Sequence, residues 1–266
     1  MPTDKTPAGK RDDISLREKE KEIQKDLDNG IDTIGKKMTV CELYAKQNRH
    51  WGNVRHNTTK GCERLMKLLE ADKLDSCPID SVKLSNAKEW ALRMKEKGIS
   101  YKTISNDKRS LKAAFYTAIQ DDCIRKNPFD FQLNTVIEDD TEPKVPLTAE
   151  QEESLLSFMQ SDSVYQKYHD EVIILLGTGL RISELCGLTK TDLDFENRVI
   201  NVDQQLLRSA ETDYYIEKPK TQSGIRQIPM SEKVYEALGR VLENRKGAKA
   251  TTIDGYSNFL FLNRDG

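Results

Sequence analysis

The stretch LLGTGLRISELCGL, residues 175–188, is an apolar helical segment that breaks at a Gly-Thr-Gly sequence and then resumes around an arginine. The break falls at 177–179, and Arg181 lies in the first turn of the resumed helix. A cation is mildly unfavourable at that position because it faces the positive end of the helix dipole. We therefore expect Arg181 to have a chemical role or a compensating partner.

Two interpretations of Arg181 follow from its neighbours. A guanidinium and the backbone amides of a helix start both suit a phosphate, the two glycines permit a tight backbone path, and Glu184 can orient the guanidinium. Alternatively, Arg181 and Glu184 form an i,i+3 ion pair with no further role. The glycines do not fit a dinucleotide-binding loop, because the third glycine of GxGxxG would fall at Ile182.

A second candidate is EKPKTQSGIRQIP, residues 217–229, which carries Lys218, Lys220 and Arg226 around a turn near Gly224. The flanking segments DYYIEKPK and IRQIPM predict a β-hairpin. A basic hairpin can enter a DNA groove, and a lysine held beside a phosphate can act as a general acid. The alternative is a solvated hairpin whose charges protect a sheet edge.

Composition limits the class of protein. The 266 residues, 32% charged and 36% hydrophobic, suit one large domain or two ordinary ones and a helix-rich, well-solvated chain. The longest apolar run, VIILL, is too short to span a bilayer, and MPTDKTPAGKRDD has no apolar signal region, so we expect no membrane partner and a cytoplasmic location. Five cysteines without CxxC spacing favour reduced thiols.

Charge is distributed unevenly along the chain. The formal net charge is −2, yet residues 39–133 carry 18 Lys and Arg against 12 Asp and Glu, a net of +6, while residues 134–266 carry a net of −8. A basic segment beside an acidic one hints at a nucleic-acid surface. Ordinary surface variation is the alternative.

The first half predicts four helices, starting at Thr39, at Asn57 or Thr58, in SNAKEWALRMKEKG, and at Ser100. The fourth is the longest; it runs through Asp122 and is stopped by Asn127-Pro128. One face of this helix is apolar, and Lys102 and Arg109 lie opposite it with Lys112 on a flank. The apolar face consists of Ile104, Leu111, Phe115 and Ala118. Trp51 and Trp90 are expected to pack inside this unit.

The second half predicts an α+β unit after the acidic, proline-containing segment VIEDDTEPKVP. Thr148 and Gln151 form a capping box for a helix through Met159. The remaining elements are a helix at about 165–176, a strand at 198–203, a helix from about Ser231 to Asn244 and a final strand at NFLFL.

Histidine and cysteine do not suggest a metal site. Cys41, His50, His56 and Cys62 have spacings that fit no compact zinc pattern, so we expect them to be structural or surface groups rather than metal ligands. His169 precedes Asp170, but no motif identifies a serine or cysteine nucleophile to accompany them.

Taken together, the basic helical unit, the acidic linker, TGLRISEL and KPKTQSGIRQIPM resemble a tyrosine recombinase of the phage integrase family. More narrowly, the chain is similar to the integrases of conjugative transposons. The resemblance extends over most of the chain and includes PAGKRDDISLREK, YAKQN, SLKAAFYTAIQDDCIRKNPFDFQL and DGYSNFLFLNR.

The resemblance implies roles for the residues introduced above. Arg181 matches the first catalytic arginine, which binds the scissile phosphate, and Glu184 matches the acidic residue that supports it. The lysine that protonates the leaving 5′ oxygen matches Lys220 best, with Lys218 as the competing choice. The candidate DNA contacts are Lys60, Arg64, Lys102, Asn106, Arg109, Lys112, Lys218 and Arg226.

The same resemblance implies a mainly α fold with an α+β second domain. Residues 1–37 match a remnant of an arm-binding domain and linker, 38–135 a four-helix core-binding (SAM-like) DNA-binding domain, 136–146 a linker, and 147–266 the N-terminal part of the catalytic domain. The implied reaction is DNA strand exchange through a 3′-phosphotyrosyl link, on double-stranded DNA, by a homotetramer with a possible accessory excision factor. It requires no metal or nucleotide cofactor.

The sequence departs from the family pattern in one respect. His-x-x-Arg, a further His or Trp, and the late nucleophilic tyrosine are not found, since the last histidine is His169. We therefore expect a chain truncated at both ends, with no nucleophile of its own, that recognises DNA but does not complete cleavage alone. The alternatives are a non-catalytic DNA-binding regulator that competes with an intact integrase, and a helical protein-interaction scaffold.

Overall fold

The chain divides into two units, Met1–Lys144 and Val145–Gly266. Helices dominate the first unit. The structure is a computed structural model, and it describes residues 16–21, 23–24, 37–50, 56–245 and 251–262. Within the described residues, the helices of the first unit after residue 37 are α1 (Val40–His50), α2 (His56–Glu70), α3 (Leu84–Glu96) and α4 (Tyr101–Gln120). The prediction of four helices in this segment is confirmed.

Local capping sets where these helices begin and end. Ser100 caps α4 by accepting a hydrogen bond from the backbone N–H of Thr103. The chain ends α3 through Gly98, whose φ of +77° is a backbone conformation that favours glycine. The predicted end of α4 is wrong: the helix ends at Gln120, well before the proline. The chain turns at Asp122, whose φ is +54°, and this turn brings the buried Cys123 back against the core.

All four helices contribute buried side chains to the core of the first unit. The predicted apolar face of α4 is confirmed, because Ile104, Leu111 and Phe115 have no exposed surface and Ala118 is 1% exposed. Phe129 packs against Trp90 and against Phe115 with ring centroids 5.6 and 5.3 Å apart. Trp90 therefore lies in the core as predicted, whereas Trp51 lies outside the described residues.

Helices of the second unit, within its described residues, are α5 (Ala149–Ser161), α6 (His169–Thr178), α7 (Ile182–Gly187) and α8 (Glu232–Asn244). The predicted capping box of α5 is confirmed: the N–H of Gln151 donates to Thr148 Oγ1 at 3.3 Å, and the N–H of Thr148 donates to Gln151 Oε1 at 3.0 Å. The helix predicted from about Ser231 to Asn244 is confirmed as α8, and Ser231 caps it. None of the helices in the described residues has the length and apolar character needed to cross a membrane.

The strands of the second unit form two antiparallel sheets. They are β1 (Leu193–Asp194), β2 (Val199–Val202), β3 (Gln205–Ser209), β4 (Asp213–Glu217) and β5 (Arg226–Pro229). In one sheet β2 lies between β1 and β5; in the other β3 pairs with β4. The strand predicted at 198–203 is confirmed as β2.

The hairpin predicted around TQSG is wrong, because β4 and β5 belong to different sheets. The segment between them contains Pro219, which has no N–H to donate to a ladder. It also contains a 3₁₀ turn, Gln222–Gly224, and a Cβ on Gly224 would lie 2.5 Å from Pro219 Cβ. Instead β5 pairs with β2 and places Ile228 opposite the fully buried Ile200. The observed hairpin joins β3 and β4.

The final strand predicted at NFLFL is also wrong. Phe259 and Leu260 are 2% and 3% exposed, yet the segment forms a single bridge, between Thr189 and Phe259. The N–H of Leu260 donates to the carbonyl oxygen of Leu188 at 2.9 Å. The apolar pattern therefore predicted burial correctly but not pairing, because the neighbouring backbone here is a turn rather than a strand.

We expect Leu111→Ala to lower the free energy of unfolding of the first unit by about 2–5 kcal/mol, because it leaves a cavity under α4. Urea denaturation followed by tryptophan fluorescence measures this unit, since both tryptophans belong to it. Gln120→Ala, at an exposed position of the same helix, is the control and should change stability by less than about 0.5 kcal/mol. Equal effects of the two substitutions would contradict the assigned core.

Gly187→Ala should destabilise the second unit by about 1–3 kcal/mol, because the new methyl group meets backbone that cannot rotate away. A Cβ there would lie 2.9 Å from Leu206 N and 3.1 Å from Gln205 Cα. Gly239→Ala in α8 is the matched control, with no atom within 4 Å of its Cβ; it should stabilise by about 0.5–1 kcal/mol. Far-UV circular dichroism in urea measures both changes.

Candidate phosphate-binding site

Arg181 lies at the N-cap of α7 rather than inside its first turn. Its backbone is extended, with φ −72° and ψ 150°, and the preceding turn at Gly179 has a left-handed φ of +64°. The sequence-based placement of Arg181 in the first turn is therefore wrong by one position. The first turn instead holds Glu184, whose carboxylate is favoured by the positive end of the helix dipole.

Glu184 accepts hydrogen bonds from both the backbone and the side chain of Arg181. Its Oε2 accepts the backbone N–H of Arg181 at 2.9 Å, and its Oε1 accepts a hydrogen bond from Arg181 Nη1 at 2.8 Å. The i,i+3 ion pair suggested by the spacing is thus present. It does not exclude a second role, because the side chain of Arg181 is 72% exposed whereas that of Glu184 is 5% exposed.

Arg226 reaches the same carboxylate from β5. Its Nη2 donates to Glu184 Oε2 at 2.8 Å, and its Nη1 donates to Oε1 at 3.1 Å. This bidentate pairing is a strong geometry for an arginine and a carboxylate. The sequence analysis did not find this contact, because the two residues are 42 positions apart and no local pattern links them.

The electrostatics of Glu184 are governed by these donors. Burial by itself raises the pKa of a carboxyl group, but the hydrogen bonds from Arg226 and then from Arg181 outweigh burial and lower the pKa of Glu184 to about 2. In turn, the hydrogen bond to Glu184 raises the pKa of Arg226 above its usual value. One carboxylate and two guanidinium groups leave this cluster with a net charge of +1.

A cleft of about 450 Å³ adjoins the cluster. It is lined by Gly179, Arg181, Thr221, Ser223, Gly224 and Arg226. The lining therefore combines guanidinium groups, hydroxyl groups and glycines, with no carboxylate among its side chains. Such a cleft suits an anion with several acceptor oxygens, such as a phosphate.

Lys218 and Lys220 are both exposed and lie between β4 and the 3₁₀ turn. Neither lines the cleft, but Lys220 directly precedes Thr221, which does. The segment that contains both lysines therefore adjoins the cleft that Arg181 lines. The structure does not distinguish between the two lysines. The choice of Lys220 over Lys218 stays a prediction.

The candidate DNA contacts of the first unit lie on α2 and α4. Four of them are exposed and have no carboxylate partner within the described residues: Lys60, Lys102, Asn106 and Arg109. Arg64 forms an ion pair with the buried Asp107, and Lys112 Nζ lies 2.5 Å from Asp130 Oδ1. Two of the six candidates therefore already have a carboxylate partner, and the other four have none within the described residues.

No three His, Cys, Asp or Glu side chains lie close enough to hold a metal ion in the described part of the chain. The side chains of His50 and His56 lie outside it. His169 Nδ1 is 3.8 Å from Asp170 Oδ1, but Arg240 Nη2 donates to that oxygen at 2.8 Å. All five cysteines are unpaired thiols.

Comparison with known proteins adds family relationships. Residues 146–266 match the profile of the phage integrase family, and residues 1–27 match that of the DNA-binding domain of Tn916 integrase. The transposase from transposon Tn916 of Enterococcus faecalis is 63% identical over 98% of this chain and 65% of its own length. The transposase from transposon Tn1545 of Streptococcus pneumoniae has the same values. The chain thus spans 65% of the length of these relatives.

Solved structures show the same relationship. The integrase of transposon Tn1549, in complex with a circular intermediate DNA, is similar with a TM-score of 0.83 and 74% identity, over 86% of this chain and 72% of that one. A lambda integrase tetramer bound to a Holliday junction has a TM-score of 0.54 at 16% identity, over 77% of this chain and 55% of that one. The second similarity concerns the fold alone.

The lowered pKa of Glu184 has a consequence for stability against pH. A carboxyl group whose pKa falls from 4.5 to about 2 on folding stabilises the fold above pH 4.5, and this contribution is lost as the pH falls towards 2. We expect the unfolding free energies of the parent and of Glu184→Gln to differ most above pH 4.5 and to converge as the pH falls from 4.5 towards 2. Urea denaturation at several pH values measures the difference. A difference independent of pH would contradict this assignment.

Proposed function

Because this chain belongs to the phage integrase family of tyrosine recombinases and is related to the integrases of conjugative transposons, we propose that it binds double-stranded DNA and acts in site-specific DNA recombination. The observation that supports this most directly is the positively charged cleft beside Arg181. Its exposed guanidinium is held at one nitrogen by Glu184, which leaves the outer part of the group directed at solvent.

Arg181 is proposed to bind the scissile phosphodiester. A guanidinium donates parallel hydrogen bonds to two phosphate oxygens, and a phosphoryl transfer step needs such donors where negative charge develops. Glu184 orients the guanidinium through its two hydrogen bonds to Arg181. Thr221 and Ser223, whose hydroxyl oxygens lie 2.9 Å apart, add donors to the lining of the cleft.

Lys220 is proposed as the general acid that protonates the leaving 5′ oxygen, with Lys218 as the competing choice. The lysine adjoins the cleft through Thr221, which suits proton transfer to a group bound there. No residue of 1–266 is assigned as the nucleophile. The proposal for these residues therefore covers DNA recognition, phosphate binding and protonation, and strand exchange through a phosphotyrosyl link is the reaction in which they take part.

The candidate groups on α2 and α4 that have no carboxylate partner within the described residues are proposed to contact the DNA backbone or grooves. These groups are Lys60, Lys102, Asn106 and Arg109. Arg64 and Lys112 would have to share or exchange their carboxylate partners in order to do so. Contacts of this kind fix register and orientation on the duplex, and the phosphate contacts among them make affinity depend on salt.

Assembly and location follow from the same proposal. We propose a homo-oligomer on DNA, by analogy with the lambda integrase tetramer bound to a Holliday junction. Work on chromosomal or transposon DNA implies the cytoplasm. These two statements rest on the family relationship and not on the geometry of the cleft.

We expect Arg181→Gln to weaken binding to a duplex carrying the Tn1549 right end by about 10-fold and to reduce the slope of log affinity against log salt by about 1. That duplex is the suitable probe because the similar Tn1549 integrase has been solved in complex with transposon right-end DNA. Fluorescence anisotropy at 50 to 200 mM salt measures both quantities.

The matched control is Arg198→Gln, which removes a cation of the second unit that pairs with Glu232 at 2.6 Å and does not line the cleft. Its affinity should stay within about 3-fold of the parent. Salt-independent or undetectable binding by the parent chain would instead support the protein-interaction scaffold.

A further inference from the structure

Both oxygens of Glu184 are fully occupied by donors from described residues. Arg181 supplies its backbone N–H and Nη1, and Arg226 supplies Nη1 and Nη2, so that each carboxylate oxygen accepts two hydrogen bonds at 2.8 to 3.1 Å. An ionised carboxylate has about four acceptor positions. A single guanidinium would leave half of these positions empty in a buried site.

We propose that Arg226 is a positioning residue, which neutralises Glu184 so that the charge of Arg181 remains available to a DNA phosphate, and that Arg226 does not itself contact DNA. This inference rests on the proposed function of the cleft. With Arg226 present, the cluster carries a net charge of +1 at the exposed guanidinium. Without it, Glu184 and Arg181 would neutralise one another, and the cleft would lose its attraction for an anion.

The geometry distinguishes the two arginines. The side chain of Arg226 is 30% exposed against 72% for Arg181. Both terminal nitrogens of Arg226 donate to Glu184, and its Nη1 lies 3.4 Å from the carbonyl oxygen of Gly224 as well. Arg181 donates from Nη1 alone, and its Nε and Nη2 make no hydrogen bond within the described residues. Arg226 lines the cleft as well, but both of its terminal nitrogens are engaged by Glu184, whereas Arg181 has a terminal nitrogen without a partner in the described residues.

The fold holds Arg226 in this orientation from both sides. Its backbone pairs with Val202 in the β2–β5 ladder, and the turn before it is fixed by the close approach of Gly224 to Pro219. A side chain that starts from a paired strand and ends on a buried carboxylate loses little further freedom when DNA binds. Pre-organisation of this kind places the entropy cost in folding rather than in binding.

The test is a double-mutant cycle on the 266-residue chain, with the Tn1549 right-end duplex as probe and affinity measured by fluorescence anisotropy. We expect Arg226→Gln and Arg181→Gln each to weaken binding by about 10-fold. The double variant should be within about 3-fold of Arg181→Gln, because a residue that acts only through Arg181 has no further effect once Arg181 is absent. Arg226→Lys should bind with intermediate affinity, since an ammonium restores the charge but not the bidentate geometry.

The decisive variant combines Arg226→Gln with Glu184→Gln. Removing the carboxylate removes the need for its neutralisation, so this pair should restore binding to within about 3-fold of the parent. A residue that merely supports the fold would not be rescued in this way. Thermal unfolding identifies the variants that fold. If Arg226→Gln does not fold, the affinities of Arg226→Lys and of the Arg226→Gln, Glu184→Gln variant are compared with that of the parent instead.

Three outcomes would overturn the proposal. The first is that Arg226→Gln does not weaken binding, and the second is that the Arg181→Gln, Arg226→Gln double variant binds about 100-fold more weakly than the parent, which is the product of the two single effects. The third is that Glu184→Gln does not restore the binding of Arg226→Gln. The second outcome would indicate that Arg226 contacts DNA independently. In all three cases Arg181→Gln still weakens binding, and the proposed phosphate site stands. If Arg181→Gln has no effect, the proposed function and this inference fail together.

Discussion

The buried carboxylate of Glu184 is the constraint on which the second unit depends. A buried anion is costly unless it is paired and hydrogen-bonded, and here the partners come from the start of α7 and from β5. The carboxylate therefore links the short helix α7 to strand β5, whose Arg226 is 42 positions from Glu184 in the chain. The same link sets the direction of Arg181, so the stability of the unit and the proposed phosphate site rest on one group.

A second buried carboxylate shows what happens when fewer donors are available. Asp107, on the core-facing side of α4, is paired with Arg64, but its Oδ2 has no hydrogen-bond partner among the described residues. Burial outweighs the hydrogen bond from Arg64 and raises the pKa of Asp107 above its usual value. Glu184 and Asp107 thus have opposite pKa shifts because one is saturated with donors and the other is not.

Close backbone approach explains why the site can form at all. Gly187 lets the end of α7 lie against β3, where a Cβ would contact Leu206 N at 2.9 Å. On the other side, Gly177 lets α6 approach α8, since a Cβ there would lie 2.5 Å from Val234 Cγ2. The Gly-Thr-Gly break is therefore a packing feature as well as a turn, and it fixes the position from which Arg181 extends.

Local chemistry in the sequence was sufficient for the helices. The cap at Ser100, the Thr148–Gln151 box and the apolar face of α4 depend on residues three or four positions apart, and the sequence alone determined them. The partners of the strands were decided only by tertiary structure, because Val202 of β2 and its partner Arg226 of β5 are 24 positions apart in the chain. The turn residues TQSG predicted a β4–β5 hairpin, but β5 pairs with β2 instead, and this pairing places Ile228 opposite the buried Ile200. In the same way, the sequence marked Arg181 and Glu184 as a pair, but the contact of Arg226 with Glu184 exists only because the sheet carries it across 42 residues.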